Sequence, residues 1–149
     1  MTHDTSRPLW TPSDSRIAAS HILAFAKAQG FPDTVTYDDL HGLHGGLKLT
    51  VRGDGRVEQN AVREKVGQPK SAVAAVDLQR LVALLVELAA WEQRVPNRMP
   101  VPDESRASLS IKLDEKSSTI WEWYNDLGKN QRIVRVRELM KQIAWQPSK

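Results

Sequence analysis

From Asp77 to Trp91 the chain reads DLQRLVALLVELAAW, and Leu78, Leu81, Val82, Leu85, Leu88 and Trp91 return at intervals of three and four. That spacing lines one face of a helix. Leu84 and Val86 widen the apolar stripe, leaving Gln79, Arg80 and Glu87 as its strongly polar positions. Asp77 is the expected N-cap, because its carboxylate can accept from the free amides of the first turn. Burying such side chains is worth ~2 kcal/mol each, a gain realised only if the helix lies on a sheet or on other helices. The rest of the chain is expected to cover it.

Elsewhere the period shortens to two. Leu47, Leu49 and Val51 alternate with Lys48, Thr50 and Arg52, as in a strand with one buried face. Gly53-Asp54-Gly55 supplies a tight reversal, and Val57 resumes an extended run toward Val62 or Val66. Gly45-Gly46 reads as a turn into this hairpin rather than a phosphate loop, since neither a helix start nor Lys-Ser/Thr follows. Gly67 to Ser71 forms a loop, with a short pre-turn at Ala72 to Ala75 before the helix. Ala107, Leu109, Ile111 and Leu113 alternate with Ser108, Ser110 and Lys112, giving the clearest strand. Asp114 to Ser118 turns the chain, and Thr119 to Tyr124 returns it in residues that favour a pleated, half-buried surface. Trp121 and Trp123 share a face with Thr119, while Ile120, Glu122 and Tyr124 share the other, so both faces are expected to be partly covered. Asn125 or Asp126 caps a short turn, and Asn130 to Trp145 makes the last helix, with Ile133, Val136, Met140 and Ile143 inward.

The chain before and between these elements is more polar. Residues 1–12, broken by Pro8 and Pro12, read as a flexible arm. Ser13 and Asp14 can cap a helix over 13–29 whose apolar side is Ile17, Ala18, Ile22 and Phe25, stopped by Gly30 and Pro32. The run EQRVPNRMPVPDESR at 92–106 carries Pro96, Pro100 and Pro102 and reads as an ordered Pro-rich loop, either a plain crossover that returns the chain to the sheet, the favoured reading, or a place for binding. The expected fold is therefore α+β. A four-stranded, mainly antiparallel sheet comes from two hairpin–helix halves, 45–91 and 107–145, with both helices on one face and an extra N-terminal helix. Residues 13–149 form one domain in this reading.

Composition narrows the chemistry. The chain has 149 residues, 40% of them hydrophobic, which is one ordinary domain. Lys and Arg number 21 against 18 Asp and Glu, and no long basic run accompanies this mild surplus, so nucleic acid is not the expected partner. With no cysteine, disulfides, thiolate catalysis and Cys-ligated metals are excluded. No stretch approaches the ~20 apolar residues of a membrane span, and MTHDTSRPLW lacks the apolar core of an export signal. A cytoplasmic protein is expected.

Candidate sites are few. His41 and His44 stand three apart near Asp38 and Asp39, a metal-ligand spacing only on a helix, and glycines at 42, 45 and 46 work against one. No metal and no cofactor is expected. Asp103-Glu104 and Asp114-Glu115 read as solvated carboxylates, because an acid–base pair needs a pocket that splits their pKa values. Arg132 and Arg135 fall to one side of the last helix's stripe, Arg137 and Lys141 to the other, which suits a solvated helix better than a phosphate-binding face. Trp121, Trp123 and Tyr124 would suit base stacking, but Glu122 and Asp126 beside them repel phosphate. Packing of these aromatics against the helices is the stronger reading; as a second reading they are, together with Arg98, Met99 and Val101 of the Pro-rich loop, the candidate contacts for a protein partner.

PLWTPSDSRIAASHILAF at Pro8 to Phe25, with YDDLH at Tyr37 to His41, resembles the N-terminal lead-in of acetoacetyl-CoA synthetases. The match ends at Gly42, where that family continues Trp-Ser-Val, and none of its phosphate-binding or acyl-transfer motifs is present. It implies a docking arm and no ligase activity. Gly45-Gly46-Leu47 leading a hairpin, a Leu-rich helix, Pro102-Asp103 before a second hairpin and a closing helix resemble emfourin-type domains, some of which inhibit thermolysin-like metalloproteases. The expected function is a small non-enzymatic protein-binding domain, an inhibitor or accessory subunit. The alternative is an accessory protein linked to acyl-CoA synthetases, and nucleic-acid binding comes third.

Overall fold

The computed structural model describes residues 31–41, 44–90, 99, 101–102, 104–113 and 116–147. The expected arm at 1–12, the helix at 13–29 and most of the Pro-rich loop lie outside them. The strands are β1 Thr34–Asp38, β2 Gly46–Arg52, β3 Val57–Val62, β4 Arg106–Leu113 and β5 Lys116–Trp123. The helices are α1 Ala75–Leu88 and α2 Gln131–Ala144, with a 3-10 helix Tyr124–Lys129 between β5 and α2.

The fold is α+β, but its sheet has five strands rather than four, in the order β3-β2-β1-β4-β5 with every neighbouring pair antiparallel. The additional strand is the central one. Thr36 of β1 faces Thr50 on one side and Ser110 on the other, so β1 is paired along both edges. Only Val35 and Tyr37 among its five residues carry apolar bulk, too short an alternation to read as a strand. Since β2 and β4 each run against β1, they are parallel to each other. The two hairpins therefore open toward opposite edges and meet only through β1.

Alternation sorts the side chains onto two faces. Val35 and Tyr37, Leu47, Leu49 and Val51, Ala107, Leu109 and Ile111, and Ile120 are at most 2% exposed and join one core with the helices. On the outer face the same strands present Thr34, Thr36, Lys48, Thr50, Ser108, Ser110 and Thr119. There Thr36 and Thr50 share a 3.0 Å hydrogen bond, as do Ser110 and Thr119.

α1 buries Leu78, Leu81, Val82 and Leu85, as its spacing requires. It begins two residues before the expected cap: Ala74 holds the N-cap position without a side-chain bond, and Asp77 lies inside the first turn, 3.0 Å from Arg80. An acidic group there still complements the helix dipole. The helix ends at Leu88, short of Trp91, because Ala89 turns left-handed with φ 48 and the amides of Ala89 and Ala90 cap the last carbonyls. Arg132 Nε donates to the Leu88 carbonyl at 2.7 Å, so α2 supplies a cation to the end of α1.

α2 starts where expected. Asn130 accepts from the Ile133 amide at 3.3 Å as its N-cap, and Ile133, Val136, Met140 and Ile143 are at most 1% exposed. Its C-terminus is tied to the loop after β3. Lys70 N donates to the Ala144 carbonyl at 2.7 Å, Gln146 N to the Gln68 carbonyl at 2.8 Å, and Trp145 Nε1 to Gln59 at 2.6 Å. Gly67 fits under Trp145, where a Cβ would stand 2.7 Å from the indole.

The β2–β3 reversal forms at Gly53-Asp54-Gly55 as expected, with Gly55 at φ 91 and its carbonyl accepting from Val73 N at 2.7 Å. In the second hairpin β5 begins at Lys116, earlier than the expected Thr119. No helix among the described residues is long and apolar enough to cross a membrane.

Candidate functional site: a cleft at the Gly45-Gly46 end of the sheet

β2 begins, β3 ends, β4 begins and β5 ends at one side of the sheet. A cleft of about 350 Å³ opens there. One wall is built by the glycines before β2. Gly45 and Gly46 take φ values of 81 and 129. A Cβ on Gly45 would sit 2.1 Å from the Val62 carbonyl oxygen, and one on Gly46 2.5 Å from the Asp39 carbonyl oxygen. Close approach of backbone to backbone explains the Gly pair, not phosphate. Arg63, just past β3 on the same wall, is a non-glycine residue with φ 56.

The floor holds Asp39, only 7% exposed. One of its carboxylate oxygens accepts from the Tyr37 hydroxyl at 2.5 Å and the other from the Leu47 amide at 2.7 Å. Burial first, and then the bond to Asp39, push the Tyr37 hydroxyl well above the usual tyrosine range, with Arg137 working against them. The Arg137 guanidinium lies 5.8 Å from the Tyr37 ring centroid. A polar thread thus runs from α2 through the core to the cleft.

The opposite wall is held by Glu104. Its carboxylate accepts from Val101 N at 3.1 Å and from Asn125 N at 3.0 Å, while Tyr124 N donates to the Ser105 carbonyl at 3.0 Å. These bonds bring the Pro-rich loop to the 3-10 helix and set Val101 and Tyr124 on the same rim, each 48% exposed. Met99, two residues before Val101, is 82% exposed, and Val62, next to Arg63, is 44% exposed.

Of the residues singled out by sequence, the structure therefore brings together Val101, Tyr124 and His44, with Met99 close by in the chain. Arg98 lies outside the described residues. Trp121 and Trp123 are elsewhere. They sit on the outer face of β5, 2% and 8% exposed, edge to face at 4.7 Å, with the Arg106 guanidinium 4.7 and 5.1 Å from their ring centroids. Glu122, on the inner face, is 8% exposed and accepts from Asn130 Nδ2 at 3.2 Å and from Trp123 N at 3.0 Å. It is a ligand of the protein's own helix cap.

His41 and His44 stack at 5.0 Å. The backbone of His41 pairs with Gly45 in both directions at 2.8 Å, an antiparallel bridge rather than helical bonding at these two residues. Among the described residues no three His, Asp or Glu side chains come together as a metal would require. Ser105, His44 and Asp39 all line the cleft. The two Asp39 oxygens accept from the Tyr37 hydroxyl and the Leu47 amide, and no bond between Asp39 and His44 accompanies them. The cations of α2 are also engaged: Arg132 by the Leu88 carbonyl, Arg135 by Glu87 at 2.9 Å, Arg137 and Lys141 by Glu138 at 2.7 and 3.7 Å.

Sequence reasoning missed Asp39 and Glu104 as builders of the cleft. Glu104 gave no local signal of this role, since Asn125, the partner that ties it to the 3-10 helix, lies on the far side of a hairpin. Asp39 follows a Tyr two residues earlier, a spacing that places both on one side of an extended chain and could have been noticed. The described residues define an antiparallel α+β domain with one end of its sheet open as a mixed polar and apolar cleft. No family model, curated protein or solved structure matches this chain.

Proposed function

We propose that this chain is a non-enzymatic protein-binding domain, an inhibitor or accessory subunit, that engages its partner through the rim of this cleft. One observation carries the reading. Of the five exposed large hydrophobics among the described residues, Val101 and Tyr124 line the cleft, Val62 directly precedes the lining Arg63, Met99 stands two residues before Val101, and Val76 lies on α1. Scattered exposed apolar residues need no explanation, but a group gathered around one concavity is what a recognition surface presents. Tyrosine on such a rim offers a large contact at low entropy cost.

The test is capture from a lysate of the source cells by wild-type protein and by a Val101→Ser, Tyr124→Ser double variant. Both side chains are half-exposed, so the variant should melt with the wild type. A captured protein lost on double substitution supports the rim. A captured protein retained by the folded variant overturns it, as does stabilisation by coenzyme A or an acyl-CoA, which would favour the link to acyl-CoA synthetases.

A further inference from the structure

We infer that the open edge of the sheet, β3, is completed by an extended acidic segment of the partner protein, which pairs with it antiparallel as a further strand. This rests on the protein-binding reading above and names how that partner is held.

The backbone carries the inference. Arg52 N donates to the Arg56 carbonyl on one side of β2, and Asp39 N donates to the Leu47 carbonyl on the other. These bonds fix the phase of the ladder. Glu58, Asn60 and Val62 are therefore the residues bonded to β2, and the amides and carbonyls of Val57, Gln59 and Ala61 point away from the sheet. Among the described residues nothing is bonded to those groups. Gln59 makes its bonds to Trp145 and Gly67 through its side chain. Glu58, Asn60 and Val62 are exposed, so the edge is open along its length. A row of unpaired donors and acceptors is a template for another strand.

Side chains define the guest. Val57 and Ala61 are half-buried at the margin of the core, so guest residues beside them face inward and are apolar. The residues between them lie on the outer face, next to a trough of about 480 Å³ with Lys48, Thr50, Glu58 and Asn60 in its walls. Glu58 is already paired with Arg52. Lys48 is exposed and has no ion pair among the described residues, and it stands two strands, about 10 Å, from a guest residue opposite Asn60. A glutamate there can meet it.

Charge also selects against a second copy. From Gly46 to Lys70 the chain has six Lys and Arg against three Asp and Glu, a balance of +3 that equals the formal charge of the whole protein. Two such hairpins repel each other, and an acidic segment is drawn in. β3 ends at Val62, directly before the cleft-lining Arg63, so the edge leads to the rim.

The experiment titrates full-length protein, labelled with nitrogen-15, with the peptide acetyl-Thr-Val-Glu-Val-Thr-Val-Glu-amide. Comparison peptides carry lysine for both glutamates, or proline for the central valine. With the acidic peptide, amide shifts are expected at Val57, Gln59 and Ala61 and smaller ones at Glu58 and Asn60. Binding should be roughly threefold weaker or worse with the lysine peptide and absent with the proline one. Ala61→Pro removes an outward donor and no bond to β2, and should lose most of the binding. Lys48→Glu, at an exposed position, should lose the preference for the acidic peptide whether or not the proline variant folds. Shifts that spare Val57, Gln59 and Ala61, equal affinity for the acidic and lysine peptides, or a preference unchanged by Lys48→Glu overturn the inference. Shifts at these amides on concentrating the protein alone also overturn it, since the guest is then a second copy. If the edge takes no peptide while capture still depends on Val101 and Tyr124, the protein-binding reading survives without it. If the edge takes the acidic peptide while capture ignores the rim, the rim falls and the edge stands.

Discussion

β3 and β5 are the two edges of one sheet, yet they meet solvent differently. Along β3 the side chains alternate between half-buried and exposed, with Glu58 and Asn60 outward, and Glu58 held by Arg52. From Ile120 to Trp123 both faces of β5 are closed: Ile120 and Glu122 inward, Trp121 and Trp123 outward, none more than 8% exposed. An unprotected edge invites pairing with another chain, and the two edges avoid it by different means, one by charge and the other by bulk. Trp121 and Trp123 are therefore packing, while Tyr124 after them and Arg63, just past the plainer strand, line the cleft. Aromatic residues on a strand mark a surface only if the face they occupy is left open.

The largest test of this contrast is Trp121→Ala. Removing an indole that is 2% exposed should cost about 3–5 kcal/mol in urea unfolding, through lost burial and the cavity left behind. A cost below about 1 kcal/mol would mean that β5 is no better packed than β3.

Next comes Gly46→Ala, at the first residue of β2. The substitution forces an L-residue to φ 129 and drives its Cβ against the Asp39 carbonyl. It should cost roughly 2 kcal/mol and displace Asp39, read as a lower melting temperature. Unchanged melting would show that the glycine wall of the cleft is adaptable, and would remove the backbone argument for the Gly pair.

Between the two edges, the central strand carries a pH dependence. Tyr37 is fully buried and its hydroxyl is held above the ordinary value of 10.0. Below that value both folded and unfolded chains keep the proton, and the stabilisation is complete. Above it the unfolded chain loses the proton first, so stability falls by up to about 1.4 kcal/mol for each pH unit. Urea midpoints measured from pH 8 to 11 should show this decline for wild type, and Tyr37→Phe should flatten it. At neutral pH the same variant should lose about 1–2 kcal/mol, because Asp39 keeps a buried oxygen without its donor. Equal alkaline slopes for the two proteins would place the titrating group elsewhere.

Much of the architecture was legible because it rests on local periodicity. Leu47, Leu49 and Val51, the alternation from Ala107 to Ile111, the buried face of α1 and the inner face of α2 all lie where their spacing puts them. β1 escaped because a strand paired on both sides needs little hydrophobic pattern of its own: its neighbours supply the register, and its outward Thr34, Thr36 and Asp38 make it look polar. The expected Asp77 cap failed because α1 gains two residues from the turn that Val73 makes against Gly55, a contact across the fold. The site was legible in part. Val101 and Tyr124 stand out as exposed apolar residues, but nothing in the sequence says that Glu104 will bind both neighbourhoods together.

The smallest expected effect belongs to the open edge. Arg52 and Glu58 pair across β2 and β3 at 2.5 Å, but their side chains are 40% and 56% exposed. Water and salt screen such a pair, and ordering two long side chains offsets most of the attraction. A double-mutant cycle of Arg52→Ala and Glu58→Ala should therefore give a coupling of about 0.5 kcal/mol at low salt, shrinking toward zero as salt is added. Charge at this edge then acts mainly against association. Removing both groups leaves β3 with a more neutral outer face, and the double variant should self-associate at concentrations where wild type does not, measured by sedimentation. A coupling above about 2 kcal/mol, or a double variant as monodisperse as wild type, would mean that the pair holds the strand in place and that something other than charge keeps this edge from pairing.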